Sequence, residues 1–141
     1  MKPCHLDFYD VVEEALLKVP VATRDCGELT HHFSDGIYLR TVRMKPGTLA
    51  IGHRHKTRHF NLLLKGTVTI TSSDGMAATL TAPVGFESGP GVRKIAFAHT
   101  EVELCSVHPN PDNCVDVAIL ENRFVTKTKA SVAFEKRKAI A

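Results

Sequence analysis

The chain has 141 residues, enough for one domain, with 43% hydrophobic and 23% charged residues. That composition excludes disorder, collagen and coiled coil as descriptions of the whole, and no apolar run reaches the roughly 18–20 residues that span a bilayer. There are 18 Lys and Arg against 15 Asp and Glu, a formal charge of +3, and Trp is absent, so a base-stacking surface for nucleic acid is poorly supplied.

The first predicted element is a helix over Asp10 to Val19. Val11, Val12, Ala15, Leu16 and Val19 recur at helical spacing, Asp10 is the expected N-cap and Pro20 the stop. Acids inside this stretch speak against a secretory signal, so the expected location is cytoplasmic, with reduced thiols and no membrane. The four cysteines form no C-x-x-C pair, which disfavours a zinc ribbon or a thioredoxin-like motif. Cys105, alternating with Val107, reads as a small core residue.

From Gly36 to about Val107 the pattern changes to short strands between turn signals. Gly36 to Met44 carries Ile37 and Leu39, then Val42 and Met44, and this slip of phase predicts a bulge. Pro46-Gly47 is a turn. Thr67 to Thr71 alternates with Val68 and Ile70 inward, Ser73-Asp74-Gly75 turns the chain, and Met76, Ala78 and Leu80 resume. Ile95 and Phe97, then Val102, Leu104 and Ser106, mark two further strands. Many short strands at even spacing predict an antiparallel sandwich or small barrel. The division that follows is an N-terminal helix and arm over 1–30, a β-barrel over 31–122 and a basic segment over 123–141. That last segment holds Arg123, Lys127, Lys129, Lys136, Arg137 and Lys138 against Glu135, and Lys127 to Ala141 reads as a short helix or frayed tail.

Three histidines crowd into seven residues as His53, His55 and His59. In a strand, residues two apart share a face, so His53 and His55 point the same way, and His59 returns to that side past a turn. Three imidazoles on an interior face would hold zinc, iron, nickel or manganese. Solvated loop histidines are the plain alternative. The adjacent pair His31-His32 points to opposite faces and reads as structural.

These residues resemble the first motif of the cupins. Gly47, five residues, His53-Arg54-His55, three residues, His59, six residues and Gly66 follow the family's spacing, with His59 where the family has glutamate. In the second motif Lys94 stands in the place of the family's last metal histidine, and His99 falls near its usual asparagine. A protonated lysine cannot ligate a metal. Residues 31 to 109 are also similar to small cupin-like proteins encoded by tailed phages, best at His55-Lys56-x-x-His59, Ser88-Gly89-Pro90-Gly91 and Ala98-His99. The resemblance implies an all-β fold, the cupin-type double-stranded β-helix or jelly roll, and a homo-oligomer, a dimer or higher. It implies no particular reaction.

Three functional readings follow, with enzyme status open. One is a metal site of His53, His55 and His59. Another is a metal-free basic recess, with Lys94 and His99 binding a small anionic ligand. The last is a structural role with phage virion proteins as partners, which would make the chain virion-associated. No G-x-S-x-G elbow, P-loop or dinucleotide fingerprint competes with these.

Overall fold

In the computed structural model, which describes residues 7–18 and 27–127, the chain begins with helix α1, Phe8–Leu17. Its N-cap is Asp7, whose carboxylate accepts from the Tyr9 amide. The helix thus starts before the expected Asp10, because the acid nearest the free amides takes the cap. Asp10 is instead used in an ion pair described below.

Ten strands follow: β1 Glu28–Ser34, β2 Gly36–Met44, β3 Leu49–Ile51, β4 Arg54–His55, β5 His59–Lys65, β6 Thr67–Ser72, β7 Ala77–Thr81, β8 Val84–Ser88, β9 Lys94–Ala98 and β10 Val102–Asn110. Helix α2, Val117–Phe124, and strand β11, Val125–Thr126, complete the described elements. One antiparallel sheet has the order β1-β2-β10-β5-β8 and a second has β3-β9-β6-β7, while β4 pairs with β11. The two larger sheets face each other as an open jelly roll. Between them lies a core of Met44, Leu63, Val68, Ile70, Ala98 and Val102. Each of the larger side chains among them contributes about 1.5–3 kcal/mol by leaving water.

The expected bulge in β2 is absent. Its pairing with β1 and with β10 runs unbroken in register, and the shift lies instead between Glu103 and Leu104 opposite β5. Tyr38, Arg40, Val42 and Met44 alternate strictly toward the interior, leaving Ile37 43% exposed on the other face. A cation at an inward position disguised a regular strand. The same holds in β9, where Lys94, Ala96 and Ala98 face in and Phe97 faces out. Cys105 is buried, but on the outer face of the five-stranded sheet, opposite Thr41 and Leu62.

Helix α2 is an element that sequence periodicity did not mark. Asp116 caps it by accepting from the Ala118 and Ile119 amides. Leu120 and Phe124 pack with Tyr38 and Val125 in a second, smaller cluster. The Lys56 amide donates to the Phe124 carbonyl at 2.7 Å, which ties this cluster to the loop after β4. Positions 128–141, which carry most of the basic tail, lie outside the described residues, as do Cys4 and Cys26. No described helix is long and apolar enough to cross a membrane.

Arg93 fastens α1 to the sheets. Its side chain is 1% exposed and donates to Asp10 at 2.8 Å, to Glu13, and through Nε to the Gly52 carbonyl at 2.8 Å. A buried guanidinium with three acceptors is satisfied, and leaving it with fewer would be costly.

Candidate functional site

Two cavities open on the inner faces. The larger, about 250 Å³, lies between the sheets and is walled mostly by apolar residues such as Val42, Met44, Ile70 and Leu104. Its polar groups are Arg40 from β2, Ser106 from β10 and Lys94 from β9. The smaller, about 90 Å³, lies under α2 and includes His31, Tyr38, His55 and His108. Arg40 and Leu29 line both.

Lys94 reaches across from its own sheet. Its Nζ donates to Ser88 Oγ at 2.9 Å and lies 3.5 Å from His59 Nε2, the outer limit of a hydrogen bond. Ser88 also accepts from Asn61 Nδ2 at 3.0 Å, and Ser106 Oγ donates to Asn61 Oδ1 at 3.3 Å. Asn61 is fully buried, so this chain of polar groups joins β5, β8, β9 and β10 inside the protein. Burial lowers the Lys94 ammonium to about 8, since a desolvated cation gives up its proton more readily. Among the described residues no carboxylate lies within ion-pair distance of Lys94.

His59 has Nδ1 at 3.2 Å from the Thr57 carbonyl. A carbonyl only accepts, so the neutral ring carries its hydrogen on Nδ1 and turns the Nε2 lone pair toward Lys94. Burial, then the Lys94 charge, lowers the His59 pKa. The His55 ring stacks on His59 with centroids 4.1 Å apart, and His108 lies 5.1 Å from His59 and 5.9 Å from His55. Burial brings His55 down to about 2 and His108 to about 4. All three rings are therefore neutral near pH 7.

The structure thus brings together His55, His59 and Lys94 of the expected site residues. His53 lies between β3 and β4 and makes no ring contact with the trio among the described residues; burial lowers its pKa too. His99 is exposed. It follows the inward Ala98, so its parity directs it to the outer face, where Nε2 meets Thr69 Oγ1 at 2.6 Å and the ring meets the edge of Phe97. His99 therefore stands apart from the cavity.

Two residues that sequence reasoning passed over belong to the site. His108 continues the inward series Val102, Leu104 and Ser106 on β10. Alternation carried two residues further would have found it. Arg40 was missed because a charged residue is assumed to face water. Its guanidinium has no hydrogen bond or ion pair among the described residues.

The donor set does not fit a divalent ion as it stands. A metal needs lone pairs converging on one point at about 2.0–2.1 Å from each imidazole nitrogen. Stacked rings direct theirs side by side, and the planes of His55 and His59 differ by only 27°. Among the described residues no group of three His, Cys, Asp or Glu converges as a ligand set. The Lys94 ammonium also holds the space beside His59 Nε2, where its charge opposes a cation. The Nδ1 atoms of His53, His55 and His108 are buried without a hydrogen-bond partner, a desolvation cost carried by the fold.

No protein-family model matches the chain, and no curated protein matches it in sequence. Solved structures do match in shape. A protein from Neisseria meningitidis aligns with TM-score 0.51 at 11% identity, over 70% of this chain and 96% of that one. An RmlC-like cupin family protein with a double-stranded β-helix fold, from Methanocaldococcus jannaschii, aligns with TM-score 0.49 at 14% identity, over 64% and 88%. The hydroxypropylphosphonic acid epoxidase of S. wedmorenis aligns with TM-score 0.45 at 15% identity, over 52% and 43%. At such identities a likeness concerns the fold alone. The antiparallel two-sheet topology is a jelly roll with a short N-terminal helix.

Proposed function

We propose that this protein binds a small organic anion between its sheets, without using the histidines as metal ligands. The observation that carries the reading is the pair Arg40 and Lys94. Both cations line one apolar cavity, and among the described residues neither lies within ion-pair distance of a carboxylate, Asp74 acting on Lys94 only from further away. An uncompensated cation in an apolar cleft is costly, and a ligand carboxylate offsets that cost with charge-assisted hydrogen bonds. The apolar walls select a ligand with a hydrocarbon body, and Ser106 adds a hydroxyl to the cavity without further charge. The test is calorimetric titration with a short branched carboxylate such as isovalerate, beside elemental analysis of the same sample. Saturable binding that Arg40→Met weakens about tenfold, with far less than one metal per chain, supports the reading. Stoichiometric zinc, iron, nickel or manganese together with no anion binding would sink it.

A second reading concerns assembly. Ile37, Phe60 and Leu64 are 43%, 45% and 52% exposed on the outer face of the five-stranded sheet. An apolar face of this kind suits a second copy of the chain, the homo-oligomer expected of the fold. The resemblance to phage-encoded proteins extends that reading to a virion building block. Light scattering on the purified protein separates a dimer or larger ring from a monomer, and Phe60→Lys is expected to shift a self-associating chain toward monomer.

A further inference from the structure

We propose that Lys94 captures a carbonyl, its amine forming an imine with a small apolar 2-oxo acid whose carboxylate is held by Arg40. The inference rests on the anion-binding reading above and names the ligand class. Three placements carry it. Lys94 lines the cavity between the sheets, and its amine is held inside the protein by side chains rather than by an ion pair. The His59 Nε2 lone pair faces it at 3.5 Å, and Ser88 Oγ holds it at 2.9 Å. Arg40 stands on the opposite sheet of the same cavity, a fork that matches a carboxylate. A simple carboxylate would use Arg40 alone. An aldehyde without a carboxylate would use Lys94 alone. A 2-oxo acid uses both, and the cavity of about 250 Å³ matches roughly eight water volumes at ~30 Å³ each, room for such a molecule with a short aliphatic chain.

The step balances without an oxidant or reductant. His59 Nε2 takes a proton from the ammonium, which frees the Nζ lone pair. That pair attacks the carbonyl carbon, the carbon–oxygen π pair moves to oxygen, and one nitrogen proton passes to that oxygen, giving a carbinolamine. The proton returns from His59 to the hydroxyl, and the carbon–oxygen bond breaks. Oxygen departs as water with two of the original ammonium protons, and the iminium nitrogen keeps the third. The lowered Lys94 pKa agrees with this use, since a larger share of the amine is free near neutral pH.

The test treats the intact protein with 2-oxoisovalerate and sodium cyanoborohydride, which fixes an imine as a secondary amine. Expected is an adduct of one ligand less one oxygen atom per chain, mapped by peptide mass to Lys94. Its yield should exceed that at exposed Lys56 and Lys65 by about tenfold or more. Arg40→Met should lower Lys94 labelling about tenfold, and Lys94→Met should abolish the site-specific adduct. Mapping on the unmodified chain keeps the result independent of whether either variant folds. Calorimetry with isovalerate, which has the carboxylate but no ketone, runs beside it. Isovalerate binding with Lys94 labelled no more than the surface lysines overturns the imine and leaves the anion pocket. No binding of isovalerate and no adduct at Lys94 overturns both.

Discussion

Arg93 and Lys94 are consecutive in the chain, yet their cations lie on opposite sides of β9. The Arg93 guanidinium turns outward to Asp10 and Glu13 of α1, while the Lys94 ammonium turns inward to Ser88. One step along an extended backbone separates a structural cation from the cation of the cavity, and the two make opposite predictions for stability.

Replacing Arg93 removes the buried guanidinium that pairs with Glu13. Arg93→Met is expected to destabilise the fold by about 3–5 kcal/mol and to release α1. Urea unfolding gives the first quantity. Hydrogen exchange over Phe8–Leu17 gives the second, and unchanged protection there would show that apolar packing alone docks the helix.

Replacing Lys94 should do the reverse. The ammonium is brought down to about 8 by desolvation, from an ordinary 10.5, so the unfolded chain holds that proton more tightly. The resulting loss of stability is complete below about 8 and shrinks as pH rises toward 10.5. Lys94→Met is expected to stabilise the protein by roughly 1–3 kcal/mol near pH 7, with the gain fading in alkali. A destabilised variant would mean that the bond to Ser88 outweighs desolvation.

The buried histidines set the acid limit. Burial takes His55 to about 2 and His108 to about 4, against an ordinary 6.5. Protonation therefore favours the unfolded chain. Their contribution is intact above about 6.5 and is lost as pH falls from there toward 4, at about 1.4 kcal/mol per pH unit for each ring. Chemical unfolding at a series of pH values should show this slope, and His108→Phe should reduce it by the share of one ring, about 1.4 kcal/mol per pH unit. A flat profile across that interval would count against buried neutral rings.

Gly66, between β5 and β6, has a φ of +88°, and a Cβ there would lie 2.0 Å from the Glu101 carbonyl oxygen. Backbone cannot swing aside as a side chain can. Gly66→Ala should cost more than about 2 kcal/mol, visible as a fall in the thermal midpoint. A change within error would show that the Thr67 turn relaxes freely.

The strands were legible where their inward residues are apolar. Val68 and Ile70 on β6 declare the interior by simple alternation, and both are fully buried. Legibility failed at Arg40, because the inward position carries a charge and the outward neighbour Leu39 mimics a core face; at Lys94 the motif spacing pointed inward although Ile95 and Phe97 alternate as a core face would. The crowding of His53, His55 and His59 drew notice to this segment, yet proximity in sequence did not settle proximity in space. His108, some fifty residues on, packs against His55 and His59, while His53 does not. Helix α2 escaped detection because its buried contacts rest on Leu120 and Phe124 alone, too few to show a period.

The two inward cations have a consequence for how the protein can be interrogated. Arg40 and Lys94 belong to facing sheets, so any anion that pairs with both stitches those sheets together. Such a molecule favours the folded chain by mass action, by about 2.7 kcal/mol at a hundredfold excess over its dissociation constant. Heat resistance then becomes a gauge of occupancy. A library of organic acids can be ranked by melting temperature alone, with no reaction to follow and no label to attach.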